Sequence, residues 1–195
     1  MIRRLPIFPT LVVAIAVAVM IGLGIWQLQR AKWKEGLLAT YAQAQGLPPI
    51  EFPTVPLRDD QLPLFRHATG NCLRIVGQRA QAGENQAGEP GYVRIVDCAT
   101  GAEGPGMSVE VGWSKDPNAR VSWAGGLVSG VIAPDRVMRM RLVAASAPAG
   151  LQPSAPPSLS TIPNNHRSYA VQWFAFALIA LVIYGLAVRK RLNAQ

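Results

Sequence analysis

The chain is short of the residues that carry out most enzyme and metal chemistry. Its 195 residues include two histidines and two cysteines, with no C-x-x-C, H-E-x-x-H or G-x-S-x-G pattern. These absences remove the common thiol-redox, zinc and serine-hydrolase sites, and no carboxylate-base constellation replaces them, so no enzyme activity is expected. Charge is also scarce, at 15% of residues against about 25% in an average soluble domain. It is missing altogether from positions 5–29 and 168–188. No stripe of lysine and arginine interleaved with aromatics appears, so the net charge of +8 does not indicate a nucleic-acid partner.

What is present in excess is apolar: half the residues are hydrophobic and the mean hydropathy is +0.19. Each uncharged run exceeds the roughly 20 helical residues needed to cross a bilayer core of about 30 Å, where only a helix or a closed barrel satisfies the backbone. Two transmembrane helices are therefore predicted. The first follows Arg3 and Arg4, as in a signal peptide, but its apolar stretch is too long and lacks a small-x-small site, so an uncleaved anchor is expected. Neither run holds an intramembrane charge, which argues against an ion path.

Two spans put both ends of the chain on one side. The tails carry Arg3, Arg4, Arg189, Lys190 and Arg191 and no acid, which predicts cytoplasmic termini and a periplasmic middle segment in the cell inner membrane. The expected layout is a tail over 1–4, a span over 5–28 continuing as helix to about 45, and a proline-rich connection over 46–63. A folded domain over 64–147, a proline-rich linker over 148–166, a span over 167–188 and a tail over 189–195 complete it. Within the first helix, Trp26, Arg30, Trp33, Leu37 and Tyr41 share one face.

In the middle segment the strand signals are 72–78, 92–97, 107–113, 127–133 and 137–143, with a turn at Pro134-Asp135. The fold class is thus two transmembrane α-helices flanking a small, mainly antiparallel β (α+β) periplasmic domain, either sheet or barrel. The first two strands form a hairpin around a long glycine-containing loop over 79–91. If paired residues sum to 170, Cys72 lies opposite Cys98. In an oxidising compartment the pair is a candidate disulfide, the alternative being two buried thiols.

Two stretches are more specific than this layout. Gly24, Trp26-Gln27, Arg30 and Trp33-Lys34 close the first span, and Asn164-Asn165-His166, Tyr169-Ala170 and Trp173-Phe174 open the second. Both resemble hallmarks of the surfeit-locus-one family, G-x-W-Q-x-x-R-x-x-W-K and N-N-H-x-x-Y-A-x-x-W-F. Pro90-Gly91-Tyr92 and Gly112-Trp113 resemble that family's P-G-Y and G-W signals, although Glu110 and Val111 replace the asparagine and arginine usual before the second. The chain looks like a divergent bacterial member.

The resemblance implies a membrane chaperone in the assembly of cytochrome c oxidase, respiratory chain complex IV, with haem a as cofactor. Its partners would be membrane lipid, the oxidase catalytic subunit and a haem a synthase. It makes His166 the candidate ligand to haem iron, with Tyr169 and Trp173 on or near the same helical face. The small Ala170 would leave room there. The alternative is a scaffold for an assembly intermediate that binds no haem, with Trp26, Trp33 and Tyr169 as interfacial anchors. His67 is expected at the surface.

Overall fold

The computed structural model describes residues 7–101 and 105–193. The amino-terminal tail with Arg3 and Arg4, the first two positions of the expected first span, and the last two residues lie outside the described residues. Two compact units result: residues 1–38 with 162–195, and residues 39–161.

The first unit holds the two apolar helices, α1 (Ile7–Gln45) and α2 (His166–Asn193). Both are long and apolar enough to cross a membrane. At 39 residues, α1 is about 58 Å long, roughly twice a bilayer core. Its continuation past the apolar run needs no tertiary explanation: residues 27–45 contain neither proline nor a β-branched run, and the helix stops at Gly46, ahead of Pro48-Pro49. Large apolar side chains such as Leu11, Ile15, Leu178 and Ile183 face outward, as lipid-facing positions do.

The second unit is a mixed seven-stranded sheet. Its strands are β1 (Ile50–Glu51), β2 (His67–Cys72), β3 (Arg74–Glu84), β4 (Pro90–Ala99), β5 (Pro105–Ser114), β6 (Gly126–Asp135) and β7 (Arg139–Ala144). The spatial order is β1-β2-β6-β7-β5-β4-β3, parallel at β1/β2 and β5/β7 and antiparallel elsewhere. Because β2 and β3 are parted by Leu73 alone, the sheet curls around one core into an open barrel whose edge strands are β1 and β3. Val96, Met107, Val109, Ile132 and Leu142 fill the interior. The last two turns or so of α1, from Ala39, belong with this unit, where the Tyr41 ring lies 5.0 Å from that of Phe65.

The disulfide joins Cys72 and Cys98, with Cα atoms 5.2 Å apart, but not across the expected hairpin. Cys72 lies in β2 and pairs with Gly126 of β6, while Cys98 stands opposite Ile75. The bridge therefore ties β2 to β4 inside the barrel. Residues 77–84 pair with 97–90 at sums of 174, so most of the loop expected over 79–91 is strand. Its glycines, alanines and glutamines carry no hydrophobic alternation because one face is exposed and the other is only half-buried. The tip shrinks to 85–89, where Asn85 Oδ1 accepts the backbone N–H groups of Ala87 (3.0 Å) and Glu89 (2.9 Å), a local bond that closes tight turns.

Pro134 and Asp135 end β6 instead of forming a turn. Pairing with β2 stops at Val131, so Pro134 sits where β7 alone remains as neighbour, a position a strand tolerates. The proline-rich stretch after β7 is fastened to the barrel: Gln152 exchanges two backbone bonds with Trp113 (2.7 and 2.9 Å), and Ala155 N–H donates to Glu84 O (2.9 Å).

Candidate functional site

The helix pair is closed by small residues. Val17, Gly24 and Ala31 of α1 are buried at intervals of seven, as are Ala170 and Ala177 of α2, a repeat that keeps one seam facing the partner. A Cβ built on Gly24 would fall 2.6 Å from Phe174 Cε1, so glycine is what lets the ring seat. Close backbone approach of this kind is how helices associate in lipid, where apolar burial gives no drive. The helices run antiparallel, with Thr10 hydrogen-bonded to Tyr184 and, seventeen residues further along α1, Gln27 to His166.

This seam brings the two membrane-edge motifs together. His166 Nδ1 donates to Gln27 Oε1 at 2.7 Å. An amide oxygen only accepts, so with Oε1 facing the ring the neutral tautomer that fits carries its proton on Nδ1 and its lone pair on Nε2. A fixed Nδ1–H partner is the usual means of orienting an imidazole that binds metal through its other nitrogen. Nearby, Arg167 makes a two-bond ion pair with Glu35 (2.8 and 3.1 Å), and the Arg30 guanidinium lies 4.5 Å from the Trp33 ring centre, within cation–π range. Tyr169 N–H donates to Asn165 O (3.1 Å), so the helix opens at the asparagine pair.

The other expected residues are placed differently. Trp26, Trp33 and Tyr169 are each at least half exposed and make no part of the Gln27–His166 contact. Trp173 is partly buried, edge-on to Phe176 at 6.3 Å. Ala170 is 1% exposed and lies in the helix seam. Sequence reasoning named Gln27 and His166 separately but missed their bond and the Glu35–Arg167 pair. The signal was available, since both motifs mark the same end of two antiparallel helices.

In the barrel, the P-G-Y and G-W residues pack against one another. A Cβ on Gly91 would meet the Trp113 ring at 2.5 Å, and one on Gly112 would meet Gln152 O at 2.9 Å. Beside them runs a charged ladder: Arg79 bonds Asp97 (2.5 Å) and Asp135 (2.7 Å), and Arg141 bonds Glu110 (2.7 Å) and Asp135 (3.3 Å). Burial opposes ionisation of Asp135, but the Met138 N–H and the two guanidiniums outweigh it and hold the carboxyl below its ordinary range. Burial likewise opposes the Arg79 charge, and Asp97 with Asp135 reinforces it and raises its pKa. Glu110, which departs from the family pattern, is thus answered by Arg141. His67 is exposed at the start of β2.

A cavity of about 270 Å³ lies between residues 52–57 and the β7 hairpin, lined by Phe52, Leu62, Met107 and Met140 among others. Among the described residues no group of three or more His, Cys, Asp or Glu is arranged to hold a metal ion.

A comparison with curated proteins returns no match. A family model described as the SURF1 family matches residues 14–178, taking in most of the first apolar helix, the whole barrel and the opening motif of the second. With well over half of its length matched, the chain belongs to the SURF1 family, whose members are assembly factors of cytochrome c oxidase.

Proposed function

We propose that this chain aids assembly of a haem-copper cytochrome c oxidase by receiving haem a at the helix pair and presenting it to the catalytic subunit. The supporting observation is the Gln27–His166 bond (2.7 Å), which leaves Nε2 of an oriented imidazole as a ligand for iron. His166 would hold the cargo through that atom, Gln27 would fix the tautomer and ring orientation, and Trp173 would lie against the macrocycle or its hydrocarbon tail. Haem a supplies its own redox chemistry once installed; the chain's part is to bind and release it. No step converts a substrate.

The setting of this reading is the inner membrane, with both termini cytoplasmic and the barrel periplasmic. It accords with the cluster Arg189, Lys190 and Arg191 at the end of α2 and with a disulfide in the barrel. The catalytic subunit and a haem a synthase are the partners it implies.

The test is a pyridine-haemochrome spectrum of the full chain purified from cells that make haem a. The wild type should retain haem, His166→Ala should lose it, and Gln27→Leu should lower affinity about tenfold or more, the usual scale for an orienting partner of a metal ligand. A colourless wild type under those conditions would leave a protein-binding scaffold without haem.

A further inference from the structure

Strand β3 has one edge against β4 and, among the described residues, no strand on the other. Two bonds fix which residues face which way. Asn85 N–H donates to Glu89 O (3.2 Å) across the hairpin, whereas Glu84 O accepts from Ala155 N–H (2.9 Å) on the far side. Backbone groups alternate along a strand, so Gly77, Arg79, Gln81 and Gly83 bond to β4, while Gln78, Ala80 and Ala82 direct both N–H and C=O to the open edge. Their side chains are exposed.

The chain itself begins to fill this edge and then leaves it. Ser154 bridges Asn85 in antiparallel sense and Ala155 bonds Glu84, but Pro156 follows and has no N–H to continue the ladder. At the other end, the bulge between Ile75 and Gly77 turns the strand. The opening between these limits is residues 78–82. No proline or lysine blunts it, as an edge normally requires, and the one charge there, Arg79, is neutralised by Asp97 and Asp135.

We propose that the occupant is a second copy of this chain, pairing through the same edge about a two-fold axis at Ala80. The edge is self-complementary. Antiparallel pairing about Ala80 sets Gln78 against Ala82, Arg79 against Gln81 and Ala80 against itself, with no like charges opposed and no bulky side chain. Three such pairs of outward-facing residues give about six backbone hydrogen bonds, a small interface made effective because both copies are held in one membrane. The Ser154–Ala155 segment of each copy ends where the other's bulge begins, so the same five residues stay clear on both.

Cross-linking of the full chain in membranes tests this directly, because Cys72 and Cys98 are both consumed by the disulfide. Under mild oxidation Ala80→Cys should form a disulfide-linked dimer about tenfold more readily than Leu127→Cys, since directly opposed Cα atoms lie about 5.5 Å apart. Leu127 is 84% exposed on β6, opposite Asn71 of β2 and away from the β3 edge. Gln78→Cys alone should stay at the Leu127→Cys level, and an equal mixture of Gln78→Cys and Ala82→Cys chains should reach about half the Ala80→Cys level, since about half of its dimers are mixed. No dimer of Ala80→Cys above the control overturns the proposal, as does an adduct with a different protein, or Gln78→Cys linking to itself as well as Ala80→Cys does.

Discussion

In the barrel, Glu110 and Asp135 are almost wholly enclosed, and each is met by a guanidinium within 2.7 Å; a disulfide, a hairpin tip built on Asn85 and a filled interior surround them. Between the two helices, by contrast, small residues at seven-residue spacing line the seam, the Gln27–His166 contact lies at one end of it, and the Arg167–Glu35 pair lies exposed at its margin. The difference follows from the two solvents. Water drives the barrel closed, and the buried charges must be paired because leaving one alone costs several kcal/mol. Lipid offers helices no such drive, so their association rests on close backbone approach and a few hydrogen bonds. In the barrel a buried charge must be paired for the fold to close; in the helix pair the small residues already bring the backbones together, which makes the Gln27–His166 bond the better functional candidate.

The sharpest way to break that contrast is Asp135→Ala. Its carboxylate is shared by Arg79 and Arg141 and accepts the N–H groups of Val137 and Met138. Removing one partner of a buried ion pair costs about 3–5 kcal/mol, at the lower end here because Arg79 keeps Asp97 and Arg141 keeps Glu110. Thermal unfolding of the full chain in detergent, followed by tryptophan fluorescence, reads the loss. The carboxyl sits below its ordinary pKa in the folded state, so the stability it contributes is complete above the unfolded value of about 3.9 and disappears as pH falls from there through the folded value. The wild type should therefore lose stability below about pH 4 more steeply than Asp135→Ala does. A variant equally acid-sensitive would show that other carboxylates carry the acid limb.

Smaller effects should separate the regions by how far a neighbour can yield. Gly91→Ala and Gly24→Ala create nearly the same clash, at 2.5 Å with Trp113 and 2.6 Å with Phe174. Trp113 is 3% exposed and bonded through Nε1 to Gly83 O, so it has nowhere to go, and Gly91→Ala should cost about 1–3 kcal/mol. Phe174 is only partly buried, and its ring can swing toward lipid. Gly24→Ala should therefore cost less than about 1 kcal/mol in the same unfolding experiment. Equal costs would mean that the helix seam is packed as rigidly as the barrel.

What could be read from the chain alone divides along the same line. The spans were legible because bilayer thickness demands an uninterrupted apolar run, and the strands 107–113 and 127–133 because their residues are hydrophobic enough to need burial. The hairpin register was not. Residues 77–84 are small or polar since one face meets solvent and the other is half-buried, with Gly83 against Val93 and Arg79 bonded to Asp97 and Asp135, and a pattern without hydrophobic alternation does not reveal its pairing. Cys72 and Cys98 were visible as a pair, yet their route to one another depends on Leu73 passing the chain from one side of the barrel to the other. The Arg79–Asp135–Arg141 ladder was hidden because its members are scattered over three strands. Gln27 and His166 carried the family resemblance without indicating that they touch.

The smallest expected effect is the most diagnostic of where the helices end. Arg167 is 72% exposed and Glu35 39% exposed in their side chains. An ion pair in water contributes about 0–1 kcal/mol and is weakened further by salt. Arg167→Gln should thus change unfolding by no more than that, with the difference shrinking as ionic strength rises, and should leave haem retention by His166 intact although the two residues are adjacent. A loss of several kcal/mol that salt does not touch would mean that the pair lies within a low-dielectric layer. The rule that governs charges in the barrel would then extend to the helices, and the neighbouring Gln27–His166 bond would have to be counted as structural.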